Sequence, residues 1–350
     1  MFLPDMRRRG ARQRGVSAPP DSVFLVLLAR CPHLTHDVGY VYEAWAEPMI
    51  APPESRDVTP TRYPLLMRLV RILVWPLALA VAFEAVRLAI TSGTLGMDAH
   101  AYWLAAQGDL VYDKAPRQLD AYLYSPAFAT VIRPVARLPW PLFLTAWVSL
   151  EGVALVWLLK PLHARWSVPF FLLCVPELVI GNVYVLLAAA AVAGLRSPAA
   201  WAFPILTKIT PGVGLLWFAA RGDWLRLLQG AAATAAIVCL SYLAGPAQWN
   251  DWFAFLLDHG GGATDGFFGF GLRCLLAIAL VVLGARTHRP WLIAPAMLLA
   301  SPVLALPALA LLAAIPRLLM SAGQDSSKSV SPRLTSQFKR LKGRRTPINP

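Results

Sequence analysis

The feature that most constrains this sequence is a series of apolar segments that recur along most of its length. Three of them, at 69–90, 142–159 and 227–243, approach or reach the roughly 20 residues that a helix needs to cross a bilayer core. Hydrophobic residues make up 57% of the 350 positions and charged residues only 15%, whereas a soluble domain carries roughly 25% charge. The sequence therefore predicts an all-α, polytopic membrane helical bundle at 67–320, with no separate soluble domain.

The net charge of +13 does not indicate nucleic-acid binding, because the basic residues are not gathered into one patch. They flank apolar segments, as the positive-inside rule expects of cytoplasmic loops. The basic flanks are Arg7–Arg9, Arg68/Arg71, Arg133/Arg137, Arg221/Arg226, Arg286/Arg289 and the stretch 339–345. The lipid bilayer is thus the predicted partner, with no nucleic acid, and both termini are expected in the cytoplasm.

The two ends of the chain differ from the apolar middle. Residues 1–66 have mixed polarity and no sustained apolar period, and Met67 begins a basic-flanked stretch that is typical of a first membrane helix. We expect 1–66 to be a disordered extension or to precede the true start, and 321–350 to be a basic, disordered cytoplasmic tail. The four cysteines lack paired spacing, which favours small packing residues over a disulfide or zinc framework.

The placement of arginines predicts about ten crossings, some of them built from half-helices. From an inner start at Arg68, the chain is expected outside at 93–124, back inside through 126–137, outside again after 142–159, and inside at Arg196 after a kinked crossing at 168–195. Between 196 and 221, two apolar arms at 199–206 and 212–220 are each too short to cross about 30 Å at 1.5 Å per residue. A hairpin of half-helices with a polar apex reconciles these lengths with the flanking charge.

Asp98, just beyond the first apolar segment, is a candidate general base. A carboxylate at the membrane surface can accept the proton of an attacking hydroxyl, and partial burial raises its pKa toward a useful range. The alternative is structural: Asp98 as the N-cap of a helix that starts at Ala99.

Lys208 lies at the apex of the predicted hairpin, in an otherwise apolar stretch, where an ionised side chain by default suggests function. Flanked by Thr207 and Thr210 and near the start of the next half-helix, it is a candidate clamp for a phosphate. The alternative is a lysine that extends to the membrane interface.

The remaining polar residues give weaker signals. Glu84 and Arg87 are spaced as a same-face ion pair inside the bundle. Glu151 has no obvious partner in its segment, which suits a protonated or a cavity-facing side chain, and Glu177 lies between two kinks; residues of this kind are more often structural than catalytic. Trp249 in the second outer loop could stack on a sugar or simply mark the membrane interface. The sequence shows no metal-ligand spacing, P-loop or Gly-x-Ser-x-Gly motif, so we expect no metal and no cofactor.

Taken in order, five tracts resemble those of glycosyltransferase family 87, over about residues 67–317. They are Met-Asp-Ala-His-Ala-Tyr-Trp at 97–103, Leu-Tyr-Ser-Pro at 123–126, Leu-Pro-Trp-Pro at 138–141, Gly-Asn-Val-Tyr-Val-Leu-Leu at 181–187 and Leu-Thr-Lys-Ile-Thr-Pro-Gly at 206–212. This family comprises actinobacterial integral-membrane mannosyltransferases of the GT-C type that depend on polyprenol-phosphate mannose. The resemblance implies a GT-C-like fold, an outer-face active site in the plasma membrane and inversion at the anomeric carbon.

The resemblance also implies roles for single residues. Asp98 matches the family's first-loop aspartate and would be the general base, and Lys208 matches the lysine of its Lys-x-x-Pro tract and would hold the donor phosphate. Tyr102, Tyr124, Asn182 and Trp249 are candidates to line the cavity. The chain departs from the family at 301–307, where a tract that follows a Ser-Pro often carries a histidine and here has none.

The function expected is transfer of a hexose, mannose by the resemblance, from a polyprenyl-phosphate-linked donor to an envelope glycolipid or glycan acceptor. A lipid or sugar transporter or flippase is the first alternative, since broken helices with a buried lysine also suit a carrier. A non-catalytic scaffold of envelope assembly is the second. The acceptor itself is not encoded in any of these motifs.

Overall fold

The computed structural model describes residues 64–108, 112–116, 118–259 and 266–321, and these ranges form helices without a strand. The architecture is therefore all-α, as the composition predicts. The expectations for 1–63 and for the tail from 322 onward lie outside the described residues.

Four helices within the described ranges are long and apolar enough to cross a membrane. They are α1 (Pro64–Ser92), α4 (Trp140–Leu159), α10 (Trp224–Ala244) and α12 (Gly266–Arg286). Large apolar side chains such as Phe83, Val153 and Leu243 project outward from them and are mostly exposed. A continuous apolar exterior of this kind suits lipid rather than water.

Six shorter limbs pair into three hairpins between the long helices. Hairpin 1 joins α5 (Ala164–Leu173) and α6 (Val175–Ile180) to α7 (Tyr184–Gly194). Hairpin 2 joins the 3-10 turn Pro198–Trp201 and α8 (Ala202–Lys208) to the 3-10 turn Thr210–Leu215 and α9 (Leu216–Ala220). Hairpin 3 joins the 3-10 turn Pro290–Leu292 and α13 (Ile293–Leu299) to Leu306–Ser321. The second matches the hairpin of half-helices that the sequence predicts.

The bases of the three hairpins lie together at one end of the bundle, here called the basic end. Arg317 donates to the carbonyl of Trp157 at 2.8 Å, and the Arg221 guanidinium lies 3.4 Å from the His288 ring nitrogen. Arg226 reaches the carbonyl of Leu195. The basic residues at this end are Lys160, Arg196, Arg221, Arg226, Arg286, Arg289 and Arg317.

The hairpin tips point to the opposite end and contact one another. The Thr210 hydroxyl of hairpin 2 donates to the carbonyl of Ala300 in hairpin 3. The Tyr184 hydroxyl of hairpin 1 lies 2.7 Å from the Ser301 hydroxyl of hairpin 3. The chain reverses in hairpin 1 at Gly181, whose left-handed conformation (φ 68°) glycine adopts readily. In hairpin 2 it reverses at Ile209, which also has a positive φ of 56°.

Two expectations about how segments cross are corrected by the structure, and with them the expectation that the chain lies outside after 142–159, because α4 ends at the basic end, with Lys160 as its C-cap. Residues 126–137 do not cross: α3 (Pro126–Ala136) has 11 residues, about 16 Å at 1.5 Å per residue. It packs along α2 (Met97–Gln107), whose Gln107 and Trp103 donate to the carbonyls of Ala136 and Leu138. Arg133 and Arg137 therefore lie away from the basic end.

The second correction concerns 168–195, which form hairpin 1 and not a single kinked crossing. Gly181 ends α6 in a left-handed conformation, and Trp147 of α4 donates to its carbonyl at 3.0 Å. The chain then turns back through α7 toward Arg196. Ten crossings are therefore not what the described residues show: four long helices meet the length requirement, and the short limbs form hairpins.

Candidate active site

Asp98 lies in the first turn of α2, held against the tip of hairpin 1. Helix α2 begins at Met97 with Gly96 as its N-cap, so Asp98 lies within the first turn and not at the cap position. The N-cap interpretation is therefore wrong. The Gly96 amide donates to the carbonyl of Val179 at 2.8 Å, which docks the start of α2 on hairpin 1.

The Asp98 carboxylate contacts Asn182 directly, since the Asn182 side-chain amide donates to Asp98 Oδ2. Asn182 is buried between α6 and α7, and its Oδ1 accepts the backbone amide of Val183 at 2.7 Å. Tyr124 places its hydroxyl 3.5 Å from the same Oδ1 and 2.8 Å from the hydroxyl of Tyr102. Three predicted lining residues thus meet around the predicted base.

Lys208, the last residue of α8, turns its ammonium group into this cluster. Its Nζ lies 4.2 Å from the centre of the Tyr184 ring and 5.1 Å from that of Tyr124. Both tyrosines are buried, and an ammonium over an aromatic face is attracted to the ring electrons. The lysine points into the cluster and does not extend to an interface, which disfavours the structural alternative.

Burial raises the pKa of the Asp98 carboxyl, while the Lys208 charge and the Asn182 hydrogen bond lower it in part. The balance leaves the pKa above the ordinary aspartate value, in the direction that strengthens a base. Burial also raises the pKa of Tyr124 to about 12, so its hydroxyl keeps its proton at neutral pH. The site therefore combines one carboxylate, one ammonium and neutral phenols.

The two threonines beside Lys208 have structural partners. The buried Thr207 hydroxyl donates to the carbonyl of Phe203 at 2.7 Å, and the Thr210 hydroxyl donates to that of Ala300. Each hydroxyl proton is engaged by the backbone, which leaves oxygen lone pairs but no free donor. The role of the two threonines in holding a phosphate remains a prediction. Of the three residues, only Lys208 carries a positive charge that can bind a phosphate.

Trp249 lies apart from the Asp98 cluster. It belongs to α11 (Pro246–Asp258), is buried with Trp252 and Ala127, and donates to the Ser241 hydroxyl at 3.2 Å. In this position the indole packs α11 against α3. Stacking of Trp249 on a sugar stays a prediction that its burial does not favour.

Sequence reasoning did not single out Tyr184 or Ser301, whose hydroxyls meet beneath Lys208. Tyr184 lies two residues after Asn182 in the tract at 181–187, and Ser301 begins the tract at 301–307. Their positions within these two tracts are the sequence signal that could have identified them. Glu177 is buried and accepts the Tyr184 amide, and its interpretation as structural stays a prediction. Glu84 and Arg87 do pair, but on the exposed surface of α1 and not inside the bundle.

Comparison with known proteins gives a family match. The family model described as glycosyltransferase family 87 matches residues 122–331, more than half of the chain. The match includes Asn182, Tyr184 and Lys208, whereas Asp98 precedes it. Searches of curated proteins and of solved structures give no match. On the strength of the family match, this chain belongs to glycosyltransferase family 87 and is a membrane glycosyltransferase.

Proposed function

We propose that this enzyme transfers mannose from a polyprenyl-phosphate-linked donor to a glycolipid or glycan acceptor at the outer face of the plasma membrane. The observation that carries the proposal is the meeting of Asp98 and Lys208 around Tyr124 and Asn182, close enough for the lysine charge to act on the carboxylate. The two groups are 110 positions apart in the sequence (208 − 98), and the packing of a helical bundle does not by itself require them to meet.

The chemistry follows from the two charges. The acceptor hydroxyl oxygen attacks the anomeric carbon opposite the phosphate, and its proton passes to Asp98. The bond from that carbon to the phosphate oxygen breaks, and the electron pair leaves on the phosphate. Lys208 stabilises the negative charge that develops there, an electrostatic contribution that needs no nucleotide-binding domain. Attack from the face opposite the leaving group inverts the anomeric configuration.

The arrangement of charge along the bundle supports the outer face as the site of reaction. Lys160, Arg196 and Arg221 lie at the basic end, which the positive-inside rule assigns to the cytoplasm. Asp98 and the hairpin tips lie at the other end. A lipid-linked donor keeps its phosphate at headgroup level, where those tips would meet it.

Asp98→Asn tests the assignment of the base. In membranes supplied with polyprenol-phosphate mannose, we expect the wild type to transfer mannose and the variant to lose transfer by about 100-fold or more, the usual contribution of a general base. Asp113→Asn, an exposed carboxylate of the same outer segment, is the matched control and should keep full activity. Full activity in Asp98→Asn would overturn the base assignment.

The same assay separates the rival functions. A transporter or flippase would move the lipid-linked sugar across vesicles without forming a new glycosidic bond. A scaffold would do neither but would retain its binding partners. Absence of mannose transfer by the folded wild-type protein, with a competent acceptor present, would therefore reject the proposed substrate.

A further inference from the structure

The contact between Asp98 and Asn182 joins residues 84 positions apart, and the amide of Asn182 is held in one orientation. Its Oδ1 accepts the Val183 backbone amide at 2.7 Å, and the Tyr124 hydroxyl lies on the same oxygen. Two donors on Oδ1 require that the amide nitrogen face Asp98, because a flipped amide would set N–H against N–H.

The turn that carries Asn182 is itself fixed at both ends. A Cβ on Gly181 would fall 2.7 Å from the Cβ of Ala99, so the turn lies directly against the first turn of α2. The Trp147 indole donates to the carbonyl of Gly181, and the Glu177 carboxylate accepts the amide of Tyr184. Asn182 is therefore not free to follow Asp98 if that side chain rotates.

Resting on the proposed function, we propose that Asn182 is a positioning residue that holds Asp98 as an ionised base with one oxygen aimed at the acceptor. Its amide engages Oδ2, and Oδ1 takes no hydrogen bond from the described residues. A hydrogen bond to a carboxylate favours the charged form and fixes its rotamer. Asn182 thus sets the pH range in which Asp98 is ionised, and it leaves Oδ1 as the oxygen that receives the proton.

The pH dependence of kcat/KM tests this role. Transfer requires ionised Asp98, so activity falls as the pH drops through the pKa of that carboxyl. Asn182→Ala removes a hydrogen bond that favours the charged form of Asp98, so the pKa of Asp98 rises. The acidic limb of the pH profile, where activity falls with decreasing pH, should then move upward by about one pH unit. Asn182→Asp keeps the contact with Val183 but sets a second carboxylate against Asp98, so the limb should move further up.

Gln107→Ala is the matched control. Gln107 is also an amide on the outer helical layer, and it donates to the carbonyl of Ala136 without touching Asp98. We expect its loss to leave the acidic limb in place, whatever it does to stability. Thermal melting of each detergent-solubilised variant reports separately whether the protein is folded.

Two outcomes separate this inference from the proposed function. If Asp98→Asn abolishes transfer but both Asn182 variants keep the wild-type acidic limb, Asn182 is structural and only this inference fails. If Asp98→Asn remains active, the base assignment itself fails. An upward shift in both Asn182 variants, larger for the aspartate and absent from the Gln107 control, is the expected result.

Discussion

At the scale of single residues, the candidate site is defined by what surrounds its two charges. Lys208 is held between the rings of Tyr124 and Tyr184, while Asp98 is held by the amide of Asn182. Neither charge is neutralised by a direct ion pair among the described residues. Under the proposed function, Asp98 can therefore accept a proton from the acceptor hydroxyl, and Lys208 can interact with the negative charge of the donor phosphate.

Lys208→Met is predicted to weaken use of the donor. The ammonium supplies the positive charge next to the proposed phosphate position, and loss of one such group typically costs about 100-fold or more in rate. Because the lysine also lowers the pKa of Asp98 in part, the acidic limb should rise as well. Initial rates against donor concentration and pH measure both effects.

Lys160→Met provides the control for that experiment. Lys160 is exposed after α4 at the basic end, far along the bundle from the hairpin tips. Unchanged donor kinetics in this variant would show that the effect of Lys208 is local. Equal losses in the two variants would point to bulk charge and contradict the phosphate assignment.

At the scale of elements, the hairpin tips depend on turns that tolerate little change. Gly181 has a φ of 68° and lies against Ala99 and Trp147. Gly152, in the middle of α4, has open space around its Cβ position. The two glycines therefore make a matched pair for the same substitution.

Gly181→Ala is predicted to destabilise the protein, by about 1–2 kcal/mol for the left-handed conformation and a further ~1–3 kcal/mol for crowding against Ala99. Gly152→Ala should be neutral or stabilising by up to ~1 kcal/mol, because alanine favours a helix interior. Melting temperatures in one detergent compare them. A melting temperature for Gly181→Ala no lower than that for Gly152→Ala would contradict this account of the turn.

The elements also show what sequence could and could not predict. Hairpin 2 was predictable because two arms flanked by arginines were too short to cross, and Lys208 stood between them. The segment 126–137 was not, because an apolar stretch with terminal arginines has the same composition whether it crosses or packs along α2. The bond between Asp98 and Asn182 was out of reach, since no local pattern links positions so far apart.

At the scale of the whole molecule, basic residues are concentrated at one end of the bundle. Seven arginine and lysine residues lie where the hairpin bases meet, whereas the segment after α1 carries Asp98, Asp113 and Asp120 with Lys114, and Arg133 and Arg137 lie away from the basic end. This division supports an orientation with the basic end in the cytoplasm. The family match fixes the class of enzyme but says nothing of that orientation.

Single-cysteine labelling tests the orientation. In a background from which the native cysteines are removed, Asp113→Cys should react with a membrane-impermeant maleimide in intact cells. Lys160→Cys should react only after the membrane is permeabilised. Both positions are exposed, so reagent access differs only by the side of the membrane. The reverse pattern would place the reaction on the cytoplasmic face.

The hairpin tips meet through hydrogen bonds that begin at side chains. Thr210 donates to the carbonyl of Ala300, and the hydroxyls of Tyr184 and Ser301 pair. Beside them, Ser125 donates through its hydroxyl and its backbone amide to the carbonyl of Leu206. These bonds lie where the tips of hairpins 1, 2 and 3 pack on one another, beside Lys208. Under the proposed function, the isoprenoid chain of a lipid-linked donor would have to reach this place from the bilayer.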